Sequence, residues 1–544
     1  MSERDLSELT FFHAEFVAPG CLEIGTLPWL LAKSTRSLFP PWLLRGWHGE
    51  KPGRGRRAWP AAVLMKLLVL RWSEEGMSRR ASVRQAKNNV VWRAAMSLPI
   101  GGATPSEKTV RVFERFLRGR HPATGTPRYL LLHEHWVRLC LEDDAVAEQA
   151  NWTMDSTPMW SYGAVLDTVR QLGDGLRMLA RRWARATGTT MSALAREWNA
   201  QLLTAKSTKG AFAIDWSSAE AKAEVLDELA RQVIRVVQLV RRGLQRVPSV
   251  NHKALLHHCR HLLRVVRDDL EVDEHGRLVI ARRICRDRLI SMTDPQARHG
   301  RKSKSKRFDG FKVHILGDLV SGVVASVAVT PGNKHDGAPA HRLIRRARDL
   351  HEQLERVLAD TAYGGAELRH TVLHTTGVRL LAPPPPARVR KGRLGRCDIE
   401  IDFEANTATC ANGVVTSNRT LSWSADHGVH ITKLKWPVAK CVSCPLRDPC
   451  RGKQKGGHQV LLHPFERELR QARSDWEQPE IRAAYRTRSQ CERLINQMTR
   501  HGARHARSWG LQAANLQAHL IAMRCNLAVL AKHAARGNAT VEAA

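Results

Sequence analysis

Two short apolar runs, far apart in the chain, each lead into an aspartate, and a glutamate follows later in a helical stretch. The runs are residues 152–154 before Asp155 and residues 357–359 before Asp360, and the glutamate is Glu492. Apolar runs of this length indicate buried strands. A single aspartate after a strand is more often a turn or helix-capping residue. The two aspartates after strands and the later glutamate, taken together, therefore predict that a sheet brings the three carboxylates close to one another.

Three carboxylates held by a sheet suit metal-dependent chemistry on phosphodiesters. Hard cations such as Mg²⁺ or Mn²⁺ prefer oxygen ligands. Two such ions about 3.5–4 Å apart stabilise both the attacking and the leaving oxygen of an in-line displacement. We therefore predict that Asp155, Asp360 and Glu492 are catalytic residues and metal ligands.

Two further residues precede the glutamate at helical spacing. The pattern Tyr485-x2-Arg488-x3-Glu492 places all three residues on one side of a predicted helix. Arg488 can bind a phosphate through its planar guanidinium, and Tyr485 can donate a hydrogen bond or stack on a base. The alternative for Arg488 and Glu492 is an ordinary ion pair on a solvated helix.

The charge balance favours a polyanionic partner. Lysine and arginine number 86 against 52 aspartate and glutamate residues, which gives a net charge of +34. Such an excess is typical of proteins that bind nucleic acid, although a merely arginine-rich protein would share it. The predicted DNA-binding residues are Tyr485 and Arg488, Arg301, Lys302, Lys304 and Lys306 in a basic loop, and Arg500, Arg504 and Arg507 after Glu492.

The sequence gives no indication of a membrane protein. No uninterrupted apolar stretch reaches about 18 residues, so we expect no transmembrane helix and no membrane partner. The polar start of the chain lacks the pattern of a signal peptide. Eleven cysteines, an odd number, favour reduced thiols. We therefore expect a cytoplasmic, nucleoid-associated protein.

Changes in hydrophobic period divide the chain into five regions. Residues 1–145 are predicted to form a helical DNA-binding domain, of helix-turn-helix type or built as a plain bundle. The other predicted regions are core strands and a helix in 146–162 and 291–382, a helical insertion in 163–290, a Pro-rich, basic linker with a Cys-rich insertion in 383–460, and C-terminal helices with Glu492 in 461–544. The order of strands and helix predicts an α/β fold with an RNase H-like mixed-sheet core.

Four cysteines could form a zinc site in the Cys-rich insertion. The pattern Cys441-x2-Cys444-x5-Cys450, with Cys410 upstream, supplies four thiolates for a closed tetrahedral site. A metal would help this segment to fold, since it is poor in apolar residues. The alternatives are ordinary reduced cysteines, or Cys397 as a substitute ligand.

Several short motifs, in order along most of the chain, support a resemblance. The motifs are Asp155-Ser156-Thr157, residues 291–295, residues 310–314, residues 330–336, Ala359-Asp360-x-Ala362-Tyr363 and Tyr485-x2-Arg488-x3-Glu492. Together they resemble the DDE transposases of bacterial insertion sequences, in the subgroup with a helical N-terminal domain and a Tyr-Arg-Glu signature. Each motif is loose alone, but jointly they are specific.

The resemblance implies an RNase H-like catalytic domain, Mg²⁺ dependence, binding to terminal inverted repeats and a synaptic complex of two or more copies. It assigns the catalytic triad to Asp155, Asp360 and Glu492. Cleavage at the element's ends would free 3′-hydroxyl groups, which then attack target DNA. The family often has lysine where this chain has Thr499, beside Arg500. The alternatives are an inactive or domesticated transposase that only binds DNA, and a different nuclease with the same core.

Overall fold

Helices with apolar faces make up the N-terminal part of the protein. The computed structural model describes residues 20–47, 58–73, 76–146, 150–303, 305–386, 392–425, 428–451 and 456–542. The N-terminal helices are α1 (Leu27–Lys33), α2 (Thr35–Leu38), α3 (Ala61–Arg71), α4 (Arg79–Asn88), α5 (Val90–Ala95), α6 (Glu107–Arg118) and α7 (Arg128–Glu142). The α3 helix is buried on nearly every side, and its sequence is apolar apart from Lys66 and Arg71.

The first strand, β1 (Trp152–Trp160), is followed by an insertion with its own hydrophobic core. The elements of this insertion are α8 (Thr168–Thr187), α9 (Met191–Glu197), α10 (Ala219–Arg242), α11 (Ser249–Asp269), β2 (Leu270–Val272) and β3 (Leu278–Ile280). The helical prediction for residues 163–290 is incomplete, because a β2–β3 hairpin follows the last helix. Leu166 N–H donates to the Ile290 carbonyl at 3.4 Å, so the insertion leaves and rejoins the core at one place.

The predicted order of two strands, a helix and a strand is present, with three additional elements: one strand before it, and a helix and a strand after it. They are β4 (Arg298–Arg301), β5 (Arg307–Asp318), β6 (Val324–Pro331), α12 (Ala340–Leu350), β7 (Arg356–Leu358), α13 (Ala366–Thr376) and β8 (Arg379–Leu381). The segment predicted as a basic loop contains β4, which forms a hairpin with β5. Arg298 holds this strand in place, because its guanidinium is ion-paired with Asp287 at 2.8 Å.

Strand pairing gives a mixed sheet in the order β6-β5-β1-β7-β8, with β4 beside the first residues of β5. The β1, β5 and β6 strands are antiparallel neighbours, whereas β1, β7 and β8 run parallel. Parallel neighbours need crossover connections, and α12 and α13 precede β7 and β8 in that role. This is an RNase H-like core, and the predicted fold class is confirmed.

Two small antiparallel sheets form the Cys-rich insertion. Its elements are β9 (Glu400–Asp402), β10 (Thr407–Thr409), β11 (Val415–Thr416), β12 (Arg419–Ser424), β13 (Val429–Lys435), α14 (Val438–Val442), α15 (Arg447–Arg451) and β14 (Gln459–Leu461). Its hydrophobic core is small and centres on Leu434 and Trp436. Residues 387–391 of the predicted basic linker lie outside the described residues.

The C-terminal helices are α16 (Glu466–Glu477), α17 (Pro479–Arg486), α18 (Cys491–Met498) and α19 (Leu511–Glu542). A 3₁₀ turn joins α17 to α18, and a π-type turn follows α18. Across the described ranges, no helix combines the length and the apolar character that a membrane span needs.

The long helix α19 joins the N-terminal helices to the sheet. Its Asn526 side chain accepts a hydrogen bond from Val324 N–H at 2.8 Å and donates to the Val324 carbonyl at 2.9 Å. Buried His133 of α7 also donates to that carbonyl through Nε2 and lies 2.9 Å from His519 of α19. These contacts cover the edge of β6, which would otherwise offer unpaired backbone groups. The N-terminal helices, the sheet and α19 therefore share one continuous core.

Candidate active site

The pairing of β1 with β7 brings two of the predicted carboxylates side by side. These strands are parallel, and Thr153 lies opposite Leu358. Asp155 and Asp360 each follow two residues later, so they lie at about the same level, where neighbouring strands are about 4.8 Å apart. The Thr153 hydroxyl donates to the Leu358 carbonyl at 3.2 Å, which helps to fix this register.

Asp155 lies within β1 rather than at its end. The sequence predicts that Asp155 closes an apolar strand, but pairing with β5 continues as far as Trp160, opposite Gly310. A side chain at Gly310 would place its Cβ 2.3 Å from the Met159 carbonyl oxygen, so the close approach of β1 and β5 requires glycine there. The strand therefore extends beyond the apolar run, because β5 supplies pairing partners there.

Charged neighbours surround Asp155. Burial is the largest cause that raises the pKa of Asp155, and the carboxylates of Asp360 and Asp336 raise it further. Arg488 opposes this shift, since its Nη2 donates to Asp155 Oδ2 at 3.2 Å. The backbone N–H of Ser156 donates to the other oxygen at 2.7 Å. Asp155 therefore belongs to a cluster of carboxylates that one guanidinium partly neutralises.

Asp360 caps a short helix as well as lying beside Asp155. Its Oδ1 accepts a hydrogen bond from Ala362 N–H at 2.9 Å and so caps the 3₁₀ helix Thr361–Tyr363. The capping role and the predicted site role thus fall on the same side chain. Capping uses one oxygen, and Asp360 remains close enough to raise the pKa of Asp155.

The predicted signature helix is interrupted. The sequence predicts Tyr485, Arg488 and Glu492 on one helix, but the 3₁₀ turn Thr487–Gln490 separates α17 from α18. Asn151, just before β1, donates to the Thr487 hydroxyl at 2.7 Å and ties this turn to the core. A tertiary contact therefore overrides the helical spacing.

Tyr485 and Arg488 still reach the carboxylate cluster. Burial raises the pKa of Tyr485, and Asp360 and Asp155 add to the increase, whereas Arg488 lowers it. Trp476 of α16 packs edge-on against the Tyr485 ring, with 4.7 Å between centroids. The structure thus brings these two predicted residues together with the two aspartates.

Glu492 is the third predicted carboxylate. It is exposed in the first turn of α18. Its buried neighbour Cys491 faces the cluster, since burial and then Asp155 raise the pKa of the Cys491 thiol to about 12. The structure therefore places Asp155 and Asp360 together, and Glu492 as the third catalytic carboxylate stays a prediction.

A fourth carboxylate, Asp336, belongs to the cluster and is absent from the predicted site. Lys312 Nζ on β5 donates to Asp336 Oδ1 at 2.7 Å. Fully buried Tyr363 lies between the acidic groups: burial raises its pKa, and Asp336 and Asp155 raise it further. The available signal was the turn of residues 330–336, which ends in Asp336 directly after a core strand.

The donor set of this cluster fits Mg²⁺ or Mn²⁺. Asp155, Asp360 and Asp336 are half-buried and offer the hard oxygen ligands that these ions prefer. Among the described residues, these carboxylate oxygens do not all lie within 4.8 Å of one another. Ligands that share two ions about 3.5–4 Å apart do not need to be that close.

The predicted basic loop is an exposed hairpin tip. Arg301, Lys302 and Lys306 are exposed where β4 turns into β5, and Lys302 N–H donates to the Lys306 carbonyl at 2.9 Å. Lys304 lies outside the described residues. The hairpin therefore presents positive charge to solvent at one end of the sheet.

The three arginines after α18 have different surroundings. Arg500 is exposed, and Arg504 is half-buried with its carbonyl accepting from Trp160 N–H at 2.7 Å. The Arg507 guanidinium packs against Gly76, where any Cβ would clash with it. Arg507 therefore lies at the contact between the N-terminal helices and the C-terminal segment.

The four cysteines predicted to bind zinc line one small pocket together with a histidine. These residues are Cys410, Cys441, Cys444, Cys450 and His458. His458 N–H donates to Cys441 Sγ at 3.3 Å, and His458 Nδ1 lies 3.4 Å from Cys450 Sγ. In the described part of the chain, no three of these sulfur and nitrogen atoms lie within 4.8 Å of one another. Exposed Cys397 does not line this pocket.

Two protein-family models match the chain in the order that the fold suggests. A transposase DDE domain matches residues 281–527, and a transposase domain matches residues 36–115. The range matched by the DDE domain contains Asp360 and Glu492. Strand β1, which carries Asp155, lies upstream of that range and is separated from it by the helical insertion. In the folded protein, β1 is nevertheless a central strand of the sheet that contains β7. No similar curated protein and no similar solved structure was found. The two matches, together with the RNase H-like core, support an insertion-sequence DDE transposase.

Proposed function

We propose that this transposase binds the terminal inverted repeats of its insertion sequence, cleaves the DNA at those ends and joins the 3′-hydroxyl ends to target DNA. The observation that carries the proposal is the pair Asp155 and Asp360 on parallel strands, with Arg488 bonded to Asp155. The partners are double-stranded DNA, at the terminal repeats and at the target. A homodimer or larger synaptic complex, in the nucleoid, would hold two ends together.

The proposed catalytic carboxylates are Asp155, Asp360 and Glu492. Mg²⁺ or Mn²⁺ bound by them would neutralise the phosphate and stabilise the attacking and leaving oxygens. Support for the two aspartates is their side-by-side position and mutual effect on pKa. Support for Glu492 is its place on α18, which packs against β1 through Cys491.

Arg488 and Tyr485 are proposed to hold the phosphate at the cleavage point. The Arg488 guanidinium donates a hydrogen bond from Nη2 to Asp155. Its buried Nε has no hydrogen-bond partner among the described residues. A phosphate oxygen could accept from that Nε, because arginine binds phosphates through more than one N–H. Tyr485 is held by Trp476 with its hydroxyl near the same acidic groups.

Asp336 and Lys312 are proposed to position the cluster. Their ion pair links β5 to the turn after β6, and the Lys312 ammonium also donates to the Lys334 carbonyl at 3.0 Å. Asp336 also raises the pKa of Asp155. The pair would thus fix both the geometry and the charge around the first catalytic aspartate.

Arg500 is proposed to replace the lysine that the family often has after the glutamate. Thr499 occupies that position but is buried, and its hydroxyl donates to the Asn496 carbonyl at 3.2 Å. Arg500 is exposed one residue later. It is therefore available to bind the DNA strand that flanks the cleavage point, together with the exposed hairpin of Arg301, Lys302 and Lys306.

Residues 1–145 are proposed to read the terminal repeats. Helix α4 carries Arg80, Arg84 and Lys87 as an exposed basic stripe, and Ser78 caps its N-terminus by accepting from Ala81 N–H. Such a stripe fits the phosphates that flank a groove. The N-terminal helices share a core with the sheet, so bases recognised there would have a fixed position relative to the active site.

A structural Zn²⁺ is proposed for the Cys-rich insertion. The support is that all four cysteines and His458 line one pocket, and that a backbone N–H already donates to Cys441 Sγ. Closing the site requires the sulfur atoms to move nearer to one another. Metal analysis of freshly purified protein should find zinc, and Cys450→Ser should lower the zinc content, whereas exposed Cys397→Ser should not.

A cleavage and joining assay tests the proposed function. The substrate is DNA that carries both ends of the element with their genomic flanks, in the presence of Mg²⁺. Asp155→Ala and Asp360→Asn should abolish cleavage and joining, whereas Asp215→Asn, an exposed aspartate in the insertion, should retain both. Glu492→Gln should behave like the aspartate variants, and Glu480→Gln of α17 like the wild type.

Each alternative outcome has a distinct meaning. Cleavage at the wild-type rate by Asp360→Asn would remove the proposed catalytic site. Tight, specific binding without cleavage by any of the proteins would favour a transposase that has become a DNA-binding protein. Cleavage without joined products would favour a nuclease on the same core.

A further inference from the structure

A second group of metal-binding side chains lies outside the carboxylate cluster. His370 and His374 are one helical turn apart in α13, and Glu468 comes from α16. One ligand atom from each of these residues lies within 4.8 Å of the other two. Across the described ranges, this group meets the criterion of three histidine, cysteine, aspartate or glutamate residues whose ligand atoms all lie this close to one another.

The carboxylate from a second helix distinguishes this group from an ordinary histidine pair. The His370 and His374 rings lie 4.2 Å apart, but His257 and His261 in α11 lie 4.1 Å apart at the same spacing. Ring proximity therefore follows from the helical spacing alone. In the first pair, His370 Nδ1 is hydrogen-bonded to Glu468 Oε1, whereas no carboxylate contact to His257 or His261 occurs among the described residues.

The surroundings hold the group in place and leave room beside it. Phe465 packs against the His370 ring with 4.6 Å between centroids, which restricts its rotation. His374 and Glu468 both line a cavity of about 280 Å³ between α13 and α16. A further ligand, such as water, could therefore reach an ion bound between them.

The arginines at this cavity already have other partners. Arg369 donates to the backbone carbonyls of Gly364 and Leu380. Arg379 is ion-paired with Asp475 at 3.0 Å, and Arg467 is ion-paired with an exposed glutamate. Glu468 is thus the carboxylate left to balance a cation between the two histidines.

We propose that His370, His374 and Glu468 bind a Zn²⁺-class ion that ties α13 to α16. Two imidazoles and one carboxylate form a three-ligand set that suits Zn²⁺ and leaves one coordination position open. The hard ions proposed for the carboxylate cluster prefer oxygen ligands instead, so the two sites would take different metals.

The ion would stabilise the helices on both sides of the carboxylate cluster. Helix α13 follows Asp360 after a short turn, and α16 carries Trp476, which packs against Tyr485. A bond between α13 and α16 would therefore restrict the movement of Tyr485 relative to Asp360. The metal site itself does not depend on the proposed DNA chemistry.

Cobalt titration of the full chain tests this proposal. The protein is stripped of metal with a chelator and titrated with Co²⁺, followed by absorption spectroscopy. Thiolate ligation gives intense sulfur-to-cobalt bands in the near ultraviolet, whereas nitrogen and oxygen ligation gives only visible bands. Wild-type protein should show a visible-band site that fills without the sulfur bands, separate from any cobalt in the Cys-rich insertion.

Variants separate the metal site from a simple ion pair. His374 is exposed, so His374→Gln should fold normally but bind Co²⁺ at the visible-band site about 10-fold or more weakly. The matched control His261→Gln, in the pair without a carboxylate, should keep wild-type affinity. Wild-type affinity in His374→Gln, or a wild-type protein without the visible-band site, would overturn the proposal and leave His370 and Glu468 as an ion pair.

Discussion

Replacing Asn526 with alanine should loosen the edge of the sheet that α19 covers. Asn526 is fully buried, and its side-chain amide bonds both the N–H and the carbonyl of Val324. The substitution leaves the Val324 N–H buried without an acceptor, whereas the Val324 carbonyl keeps the hydrogen bond from His133 Nε2. The N–H of Val324 should therefore contribute more than its carbonyl to the loss of stability.

We expect the free energy of opening of β6 to fall by about 2–4 kcal/mol. An orphaned buried N–H costs about 1–3 kcal/mol, and each lost hydrogen bond contributes about 1 kcal/mol. Because about 1.4 kcal/mol corresponds to a factor of ten, opening of β6 should become about 30-fold to several hundred-fold more frequent. The effect should be local to β6 and its neighbours, since other parts of the chain open independently.

Hydrogen exchange followed by mass spectrometry measures this opening directly. Peptides that cover Val324–Pro331 should exchange faster in Asn526→Ala, whereas peptides from the helical insertion should be unchanged. Asn496→Ala, an exposed asparagine on α18, is the matched control and should exchange like the wild type. Unchanged protection of β6 in Asn526→Ala would refute the reasoning that α19 satisfies this sheet edge.

Three further predictions concern the active site, acid stability and DNA binding. Arg488→Gln should lower the cleavage rate by about 10- to 100-fold, the loss of one charge-assisted hydrogen bond, whereas exposed Arg486→Gln should not. Burial lowers the pKa of His133 to about 4, below the unfolded value of 6.5. The contribution of His133 to stability should therefore fall by about 2 kcal/mol from pH 7 to pH 5, since only the unfolded chain gains this proton. Buried His314 and His519 should add to the fall, because burial lowers their pKa values as well. Denaturant unfolding should show a smaller fall for His133→Gln, and a flat wild-type profile would contradict this. For binding to DNA that carries the terminal repeats, Arg84→Gln should reduce the slope of the logarithm of the association constant against the logarithm of salt concentration by about 1. Arg196→Gln, in the helical insertion, should leave this slope unchanged.

Local patterns predicted β1, β5, β6 and β7 because each of these strands carries its own signal, whereas β4 and β8 were not predicted. The apolar residues before Asp155 and Asp360, and the alternation in β5, follow from burial of strand faces. The RNase H-like order then follows from the sequence of elements. The register of β1 and β7, which places the two aspartates side by side, depends on tertiary pairing and could not be read from spacing.

Tertiary contacts explain the predictions that were wrong or incomplete. The 3₁₀ turn before α18 depends on Asn151, which lies far away in sequence. Asp336 joined the cluster because β6 pairs with β5, although its local sequence is an ordinary turn. His458 beside the four cysteines likewise depends on the pairing of β14 with β13, which no spacing rule includes.

The hydrogen bond between Leu166 and Ile290 has a consequence for the evolution of such chains. An insertion that enters and leaves at one point, with its own core, can be gained or lost as a unit without changing the pairing of β1 with β5. In a relative that lacks it, the segment equivalent to residues 291–306, which contains β4, would still join β1 to β5. The linear distance from Asp155 to Asp360 would then differ greatly between relatives whose strands coincide. Such relatives should be aligned by strand order rather than by residue spacing.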